Sequence, residues 1–254
     1  MILSYLVLAV AAFAAGIISA VAGGGAFLVF PALLLTGLDP RAANITATMA
    51  LYPMQVSNGF TGRKEAAGTQ NLSFRDLFVI SLVGGVIGAV LLLLTPANSF
   101  GKLVPWLLMF ATLVFAWGSL KPRPARTEAP RDRLGRIGAA LVHFAISIYG
   151  GYFGGGIGLL MLATLTYAGM NMRAAGNTKN ILAAVMNTSA VGVFFFSNDV
   201  YWGRAGVAAI CAITGGLIGV RLLDKINERA LRRFVVVIGA VMTMALFLRA
   251  HFIQ

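Results

Sequence analysis

The chain has 254 residues, 59% hydrophobic and 11% charged, with a mean hydropathy of +0.86. Soluble domains carry roughly a quarter charged residues, so this composition is that of an integral membrane protein. Twenty Lys and Arg against eight Asp and Glu give a formal charge of +12; in a membrane chain this marks a side of the bilayer before it suggests a nucleic-acid partner, and none is expected. A single cysteine, Cys211, excludes a disulfide framework and Cys-rich metal sites. Two histidines, His143 and His251, are too few for a His-based metal centre.

In chain order, apolar runs cover residues 2–37, 42–61, 77–94, 103–120, 137–169, 174–196, 205–223 and 234–250. Most reach the ~20 residues that a spanning helix needs. The first and fifth are too long for one helix and are broken by Gly23-Gly24-Gly25 and by Gly150-Gly151 with Gly154-Gly155-Gly156. Each is expected to fold as two arms. Ala20-Val21-Ala22 resembles a signal-peptidase site, but no basic n-region precedes it, and the same broken pattern recurs deep in the chain.

The cations test the two-arm expectation. If each long run crosses once, Lys and Arg divide nine against eleven, and no orientation results. If each crosses an even number of times, loops 62–76, 121–136, 170–179 and 221–233 share a side and hold sixteen of the twenty cations. Arg41, Lys102, Arg204 and Arg249 remain on the other side. The positive-inside rule makes the four loops cytoplasmic and both termini non-cytoplasmic.

At a shift of about 131, Gly23-Gly24-Gly25 falls on Gly154-Gly155-Gly156, and Gly84 to Gly88 on Gly215 to Gly219; at 132, Arg41-Ala42-Ala43 meets Arg173-Ala174-Ala175. The chain therefore reads as a duplication. Residues 1–120 form the first transmembrane repeat, 121–136 a Pro- and Arg-rich cytoplasmic linker, and 137–254 the second repeat. The expected fold is all-α, with two inverted-topology repeats, each a pair of glycine-broken, partly re-entrant arms plus three transmembrane helices. In transporters of this design the substrate site lies between repeats, at the interrupted segments. The second arms, Ala26 to Gly37 and Ile157 to Gly169, extend only ~20 Å as helix and are expected to be re-entrant.

All eight acids, Asp39, Glu65, Asp76, Glu128, Asp132, Asp199, Asp224 and Glu228, fall in loops or at helix ends. Carboxylates are the usual proton relays and cation ligands within membranes, so this placement argues against cation cargo and against catalysis. Neither a cofactor nor a metal is expected. Asp39-Pro40 and Asn171 look like helix starts. Counted from them, Asn44, Thr48 and Gln55 share one face, as do Asn177, Asn180 and Asn187. Interhelical packing and a solute path both explain such a stripe; its symmetry beside broken helices favours the path. Lys179, about eight residues into its helix, either adds charge to that path or snorkels to the headgroups. Arg41 and Arg173 lie in helix first turns, against the dipole, which leaves interface anchoring and gating as readings. Gly23, Gly24, Gly25, Gly154, Gly155 and Gly156 can present backbone N–H groups to an anion beside a helix N-terminus. Small-xxx-small packing suffices for Gly84 to Gly88 and Gly215 to Gly219, and His143 reads as a hydrogen-bonded structural residue.

The unit Ala22-Gly23-Gly24-Gly25 with Arg41-Ala42-Ala43-Asn44, and its copy from Gly154 through Arg173-Ala174-Ala175-Gly176-Asn177-Thr178-Lys179-Asn180, resembles the TauE/SafE sulfite exporter family, also called toluene-sulfonate uptake permeases, over essentially the whole chain. The resemblance implies a multi-pass protein of a bacterial cytoplasmic membrane that exports sulfite or another sulfur-containing or organic anion. Joined to the residue pattern, it gives an alternating-access transporter with a small anionic substrate and the lipid bilayer as partners. An anion channel of the same architecture and a non-transporting membrane partner protein are the alternatives.

Overall fold

The computed structural model describes residues 2–21, 24–61, 63–120, 135–221 and 228–252. Among them ten α-helices run in the expected order: α1 (Ile2–Val21), α2 (Ala26–Leu35), α3 (Pro40–Thr61), α4 (Phe74–Leu94), α5 (Ala97–Leu120), α6 (Gly135–Tyr152), α7 (Ile157–Tyr167), α8 (Met172–Phe194), α9 (Trp202–Arg221) and α10 (Glu228–Phe252). No strand occurs among the described residues. The linker expected at 121–136 lies outside them except for Gly135 and Arg136, which already belong to α6.

Both long apolar runs break where the glycines stand, giving α1 with α2 and α6 with α7. The second arms are shorter than expected, 10 and 11 residues, or ~15–17 Å at 1.5 Å per residue. Each stops at a matched C-terminal glycine: Gly37 has φ +88° and Gly169 φ +87°, values that a side chain resists. Leu38 N–H then donates to Leu33 O, and Met170 N–H to Leu165 O. The following helices start as the sequence indicated. Asp39 Oδ1 accepts from Arg41 and Ala42 N–H, and Asn171 Oδ1 from Ala174 N–H at 2.9 Å.

Three described helices, Phe74–Leu94, Ala97–Trp117 and Trp202–Gly219, are both long and apolar enough to cross a membrane. Length is not what sets α3 and α8 apart, at 22 and 23 residues; their Asn, Thr and Gln lower the hydropathy. Both instead sit inside the bundle, with Asn44, Thr46, Thr178, Asn187 and Ser189 buried.

Glycine sets how closely the other helices approach. The most extensive contacts join α1 to α9 and α4 to α6. A Cβ on Gly16 would overlap Ala212 O, one on Gly215 would overlap Phe13 O, and in the other pair Gly88 faces Ile148 O and Gly151 faces Gly85 O in the same way. Exchanging the first five helices for the last five maps α1–α9 onto α6–α4, α3–α9 onto α8–α4, and α2–α3 onto α7–α8, while α3–α8 and α5–α10 map onto themselves. The halves are thus interleaved, with α1 packed mainly on a helix of the other half.

Gly88→Ala drives a methyl into the Ile148 carbonyl and separates α4 from α6, at a cost of about 1–3 kcal/mol. Gly192, which is exposed and has open space around a Cβ, tolerates the same change, with a gain of up to about 1 kcal/mol. Thermal unfolding midpoints of the two purified variants in detergent should move in opposite directions.

Candidate functional site

A cavity of about 40 Å³ lies where α2 begins, beside α3 and the α6–α7 junction; at ~10–15 Å³ per water it has room for about three waters. Its polar lining is Asn44, Thr48 and Gln55 from α3, Asn187 from α8, and Gly154 with Gly155. The stripe on α3 therefore faces this space as one set. Pro53 lies within α3 between Thr48 and Gln55 without ending the helix; an interior proline removes one backbone hydrogen bond, which is tolerated at membrane depth where the backbone is buried in protein or lines a cavity. Phe30 and Phe153, edge to face at 5.8 Å, wall the other side.

Asn44 and Asn187 are buried, 4% and 6% exposed. Asn44 Nδ2 donates to Tyr152 O at 3.0 Å and Asn187 Nδ2 to Ala183 O at 2.9 Å. A carboxamide nitrogen carries two N–H groups, and each of these bonds uses one. Thr48 Oγ1 donates to Asn44 O within its own helix. Gln55 Oε1 is buried with no partner among the described residues. Ala26 and Phe27, the first residues of α2, also line the cavity, so the positive end of that helix dipole faces it.

The glycine tips divide. Gly154 (φ +74°) and Gly156 (φ +73°) need the left-handed region, but only Gly154 and Gly155 reach the cavity, while Gly156 is the N-cap of α7. Gly24 packs beneath Phe115, whose ring a Cβ would meet at 2.7 Å. The Gly25 N–H is already spent, donating to Ser19 Oγ at 3.1 Å. Gly23 lies outside the described residues.

α8 contributes Asn187 but not the rest of its stripe, because it runs antiparallel to α3. Tyr52 Oη meets Thr188 Oγ1 at 3.2 Å, Gly59 lies against Asn180 O and Ala184, and Asn177 Nδ2 donates to Glu65 Oε2 at 2.8 Å. Asn180 is thus level with Gly59, past the cavity, and Asn177 lies at the far end. Lys179 is half-buried, with its ammonium 3.7 Å from where a Cβ on Gly158 would stand, in the first turn of α7. His143, buried, pairs with Ser81 Oγ through Nε2 at 2.9 Å and lies away from this cavity.

Both first-turn arginines are ion-paired, a feature that the sequence pattern left undecided. Arg41 Nη2 lies 2.9 Å from Asp199 Oδ2, and Nη1 donates to Thr95 O at 3.0 Å. Arg173 Nε lies 3.0 Å from Glu65 Oε2. From the sequence alone both acids are expected in loops or at helix ends, with no partner assigned. One signal was present: Asp199 follows Glu65 by 134 residues, close to the duplication shift.

An all-helical chain whose half-length helices meet at a buried polar cavity has the architecture of a membrane transporter. The comparisons agree. The chain belongs to the sulfite exporter TauE/SafE family, whose profile matches residues 8–246. It is 28% identical over 239 residues to the probable membrane transporter protein YfcA of Escherichia coli K12, covering 93% of this chain and 87% of that one. It is 26% identical over 233 residues to a probable membrane transporter protein of Haemophilus influenzae (91% and 89% covered), and 28% over 240 residues to the probable membrane transporter protein ORF9 of a Sinorhizobium species (93% and 90%).

The two arginine pairs differ in environment, with side chains 22% and 26% exposed for Arg41–Asp199 against 84% and 46% for Arg173–Glu65. Arg41→Ala leaves Asp199 and two helix-end carbonyls without their donor and should cost about 2–3 kcal/mol, below the ~3–5 of a fully buried pair. Arg173→Ala should cost at most about 1 kcal/mol. Thermal unfolding of the two variants measures the difference.

Proposed function

We propose that this protein is a secondary transporter of a bacterial cytoplasmic membrane that exports a small sulfur-containing oxyanion, sulfite or an organosulfonate, by alternating access between two inverted repeats. The cavity carries the proposal: neutral amide donors from two antiparallel helices meet the positive end of α2 in a space from which the described carboxylates are absent. The volume of about 40 Å³ favours the smaller anions of the class. Inverted repeats are supported by the interleaved packing, in which the most extensive helix pairs have counterparts in the other half, and by the antiparallel course of α3 and α8, which hold equivalent positions.

In this reading Asn44, Thr48, Gln55, Asn187, Gly154 and Gly155 surround the anion. Asn177, Lys179 and Asn180 flank its path toward the cytoplasmic face, and Gly24, Gly25 and Gly156 shape the tips of the broken helices. No charged side chain touches the bound ion, so its hold comes from dipoles and N–H groups, which release it as readily as they take it up. Outward movement of an anion is driven by a negative-inside potential, ~2.3 kcal/mol per charge per 100 mV, and needs no dedicated proton relay. Both termini then lie outside the cytoplasm.

Purified protein in proteoliposomes should bind sulfite and show counterflow, which a simple pore does not; absence of binding to sulfite, thiosulfate, sulfoacetate and sulfate alike would sink the oxyanion reading. Asn187→Asp should lower flux at least tenfold while the protein remains folded, because like charges ~4 Å apart at an effective dielectric of ~20 repel by about 4 kcal/mol. The orientation has its own check. A Glu128→Cys variant, with Cys211 replaced by Ser, should resist an impermeant thiol reagent in intact cells and react in inverted vesicles.

A further inference from the structure

The two ion pairs have a relation that the cavity alone does not require. Arg41 is in the first turn of α3 and pairs with Asp199, just beyond the end of α8 at Phe194; Arg173 is in the first turn of α8 and pairs with Glu65, just beyond the end of α3 at Thr61. Each helix start is therefore tied to the segment that follows the other helix. α3 spans 22 residues, ~33 Å, so the two pairs stand at opposite ends of the α3–α8 couple, with the cavity between them. We infer that Arg41–Asp199 and Arg173–Glu65 are the two gates of the transporter, one toward each face of the membrane, and that the structure is closed at the Arg41 end.

Helix stability does not account for the arginines, since a cation in a first turn opposes the dipole. Opening an ion pair, by contrast, is a discrete two-state event of the kind that switches need. The Arg41 end is the more firmly held. Besides Asp199, its guanidinium reaches Thr95 O and, at 3.5 Å, Leu93 O, so it fastens α3, the end of α4 and the α8–α9 loop together. Thr46 Oγ1 reinforces the loop, donating to Asp199 O at 3.4 Å and accepting from Tyr201 N–H at 3.2 Å. At the other end the pair itself is largely exposed, and solvent-exposed pairs are held weakly; the Asn177 carboxamide donates to the same carboxylate, and Thr178 Oγ1, accepting from Ala67 N–H and donating to Ala67 O, ties the following segment to α8 as Thr46 does at the Arg41 end. Arg41 also stands one helical turn from Asn44, which lines the cavity. An anion leaving the cavity toward that face competes with Asp199 for the same guanidinium, which links its departure to opening.

The inference rests on the alternating-access reading, and sided labelling tests it without any substrate. In full-length protein with Cys211→Ser, Thr48→Cys places a reporter in the cavity, probed with an impermeant maleimide in right-side-out and inverted vesicles. The reporter should react mainly from the Arg173 face. Asp199→Asn should raise labelling from the Arg41 face at least tenfold, and Arg41→Asp combined with Asp199→Arg should bring it back toward the starting level. If Asp199→Asn does not accumulate, Arg41→Cys with Asp199→Cys, cross-linked, should abolish reactivity from the Arg41 face and spare the other. Unchanged sidedness, or labelling that rises equally from both faces, overturns the gates and leaves the pairs as structural staples. Sided switching without counterflow sinks the substrate reading alone, and counterflow with unchanged sidedness sinks the gates alone.

Discussion

In hydrocarbon every backbone N–H and C=O must find its partner within the protein, and α2 and α7 end after 10 and 11 residues, too few for a ~30 Å core. Much of the remaining architecture follows from housing those ends. Their C-termini turn on Gly37 and Gly169 so that the last carbonyls are capped by the chain itself. Their N-termini are met by polar groups from elsewhere: Ser19 Oγ takes the Gly25 N–H, and the Gly155 carbonyl accepts the Tyr149 hydroxyl at 2.8 Å. The surrounding helices come close enough to exclude lipid because Gly16, Gly88, Gly151 and Gly215 place backbone against backbone. A cavity left between such ends is polar because its walls include helix termini.

The same constraint explains why so much of the fold was legible in the sequence. Three consecutive glycines within an apolar run have few uses in a membrane helix, and both runs break there. Asp39-Pro40 and Asn171 announce the next helices because caps are local chemistry. The polar period on α3 puts Asn44, Thr48 and Gln55 on one face, and all three line one space. Periodicity fixes a face but not a level along the axis. Asn177 and Asn187 are ~15 Å apart on α8, and only packing against α3 decided that Asn187 is level with the cavity. The pairing of Glu65 and Asp199 with arginines more than a hundred residues away was likewise hidden, since each acid alone looks like an ordinary loop carboxylate.

Charge in this molecule is therefore sorted by depth. The described acidic residues Asp39, Glu65, Asp76, Asp199 and Glu228 sit at helix ends or in loops, and at each end of α3–α8 one of them holds an arginine. Between those ends the polar lining of the cavity consists of neutral amides, a hydroxyl and backbone. A fully paired charge inside the bundle would be costly to desolvate and hard to move, whereas the amides of Asn44 and Asn187 are each held by one hydrogen bond, to Tyr152 O and Ala183 O, and carry a second N–H.

For a proposed carrier of anions this separation has a kinetic logic. A lysine or arginine in contact with the ion would deepen the well and slow release, and permeation needs a site favourable enough to enter and weak enough to leave. Placing the cations a turn or more away lets them attract the anion and meet it at the gate without being its ligands within the cavity itself. It also gives each guanidinium a resident carboxylate, so that no bare charge is left when the cavity is empty. The partner exchange implied, carboxylate for substrate at one face and back again, alters few contacts on either side of the balance. Small energy differences then suffice to tip it, which is the condition for a cycle that turns over rather than a complex that stays bound.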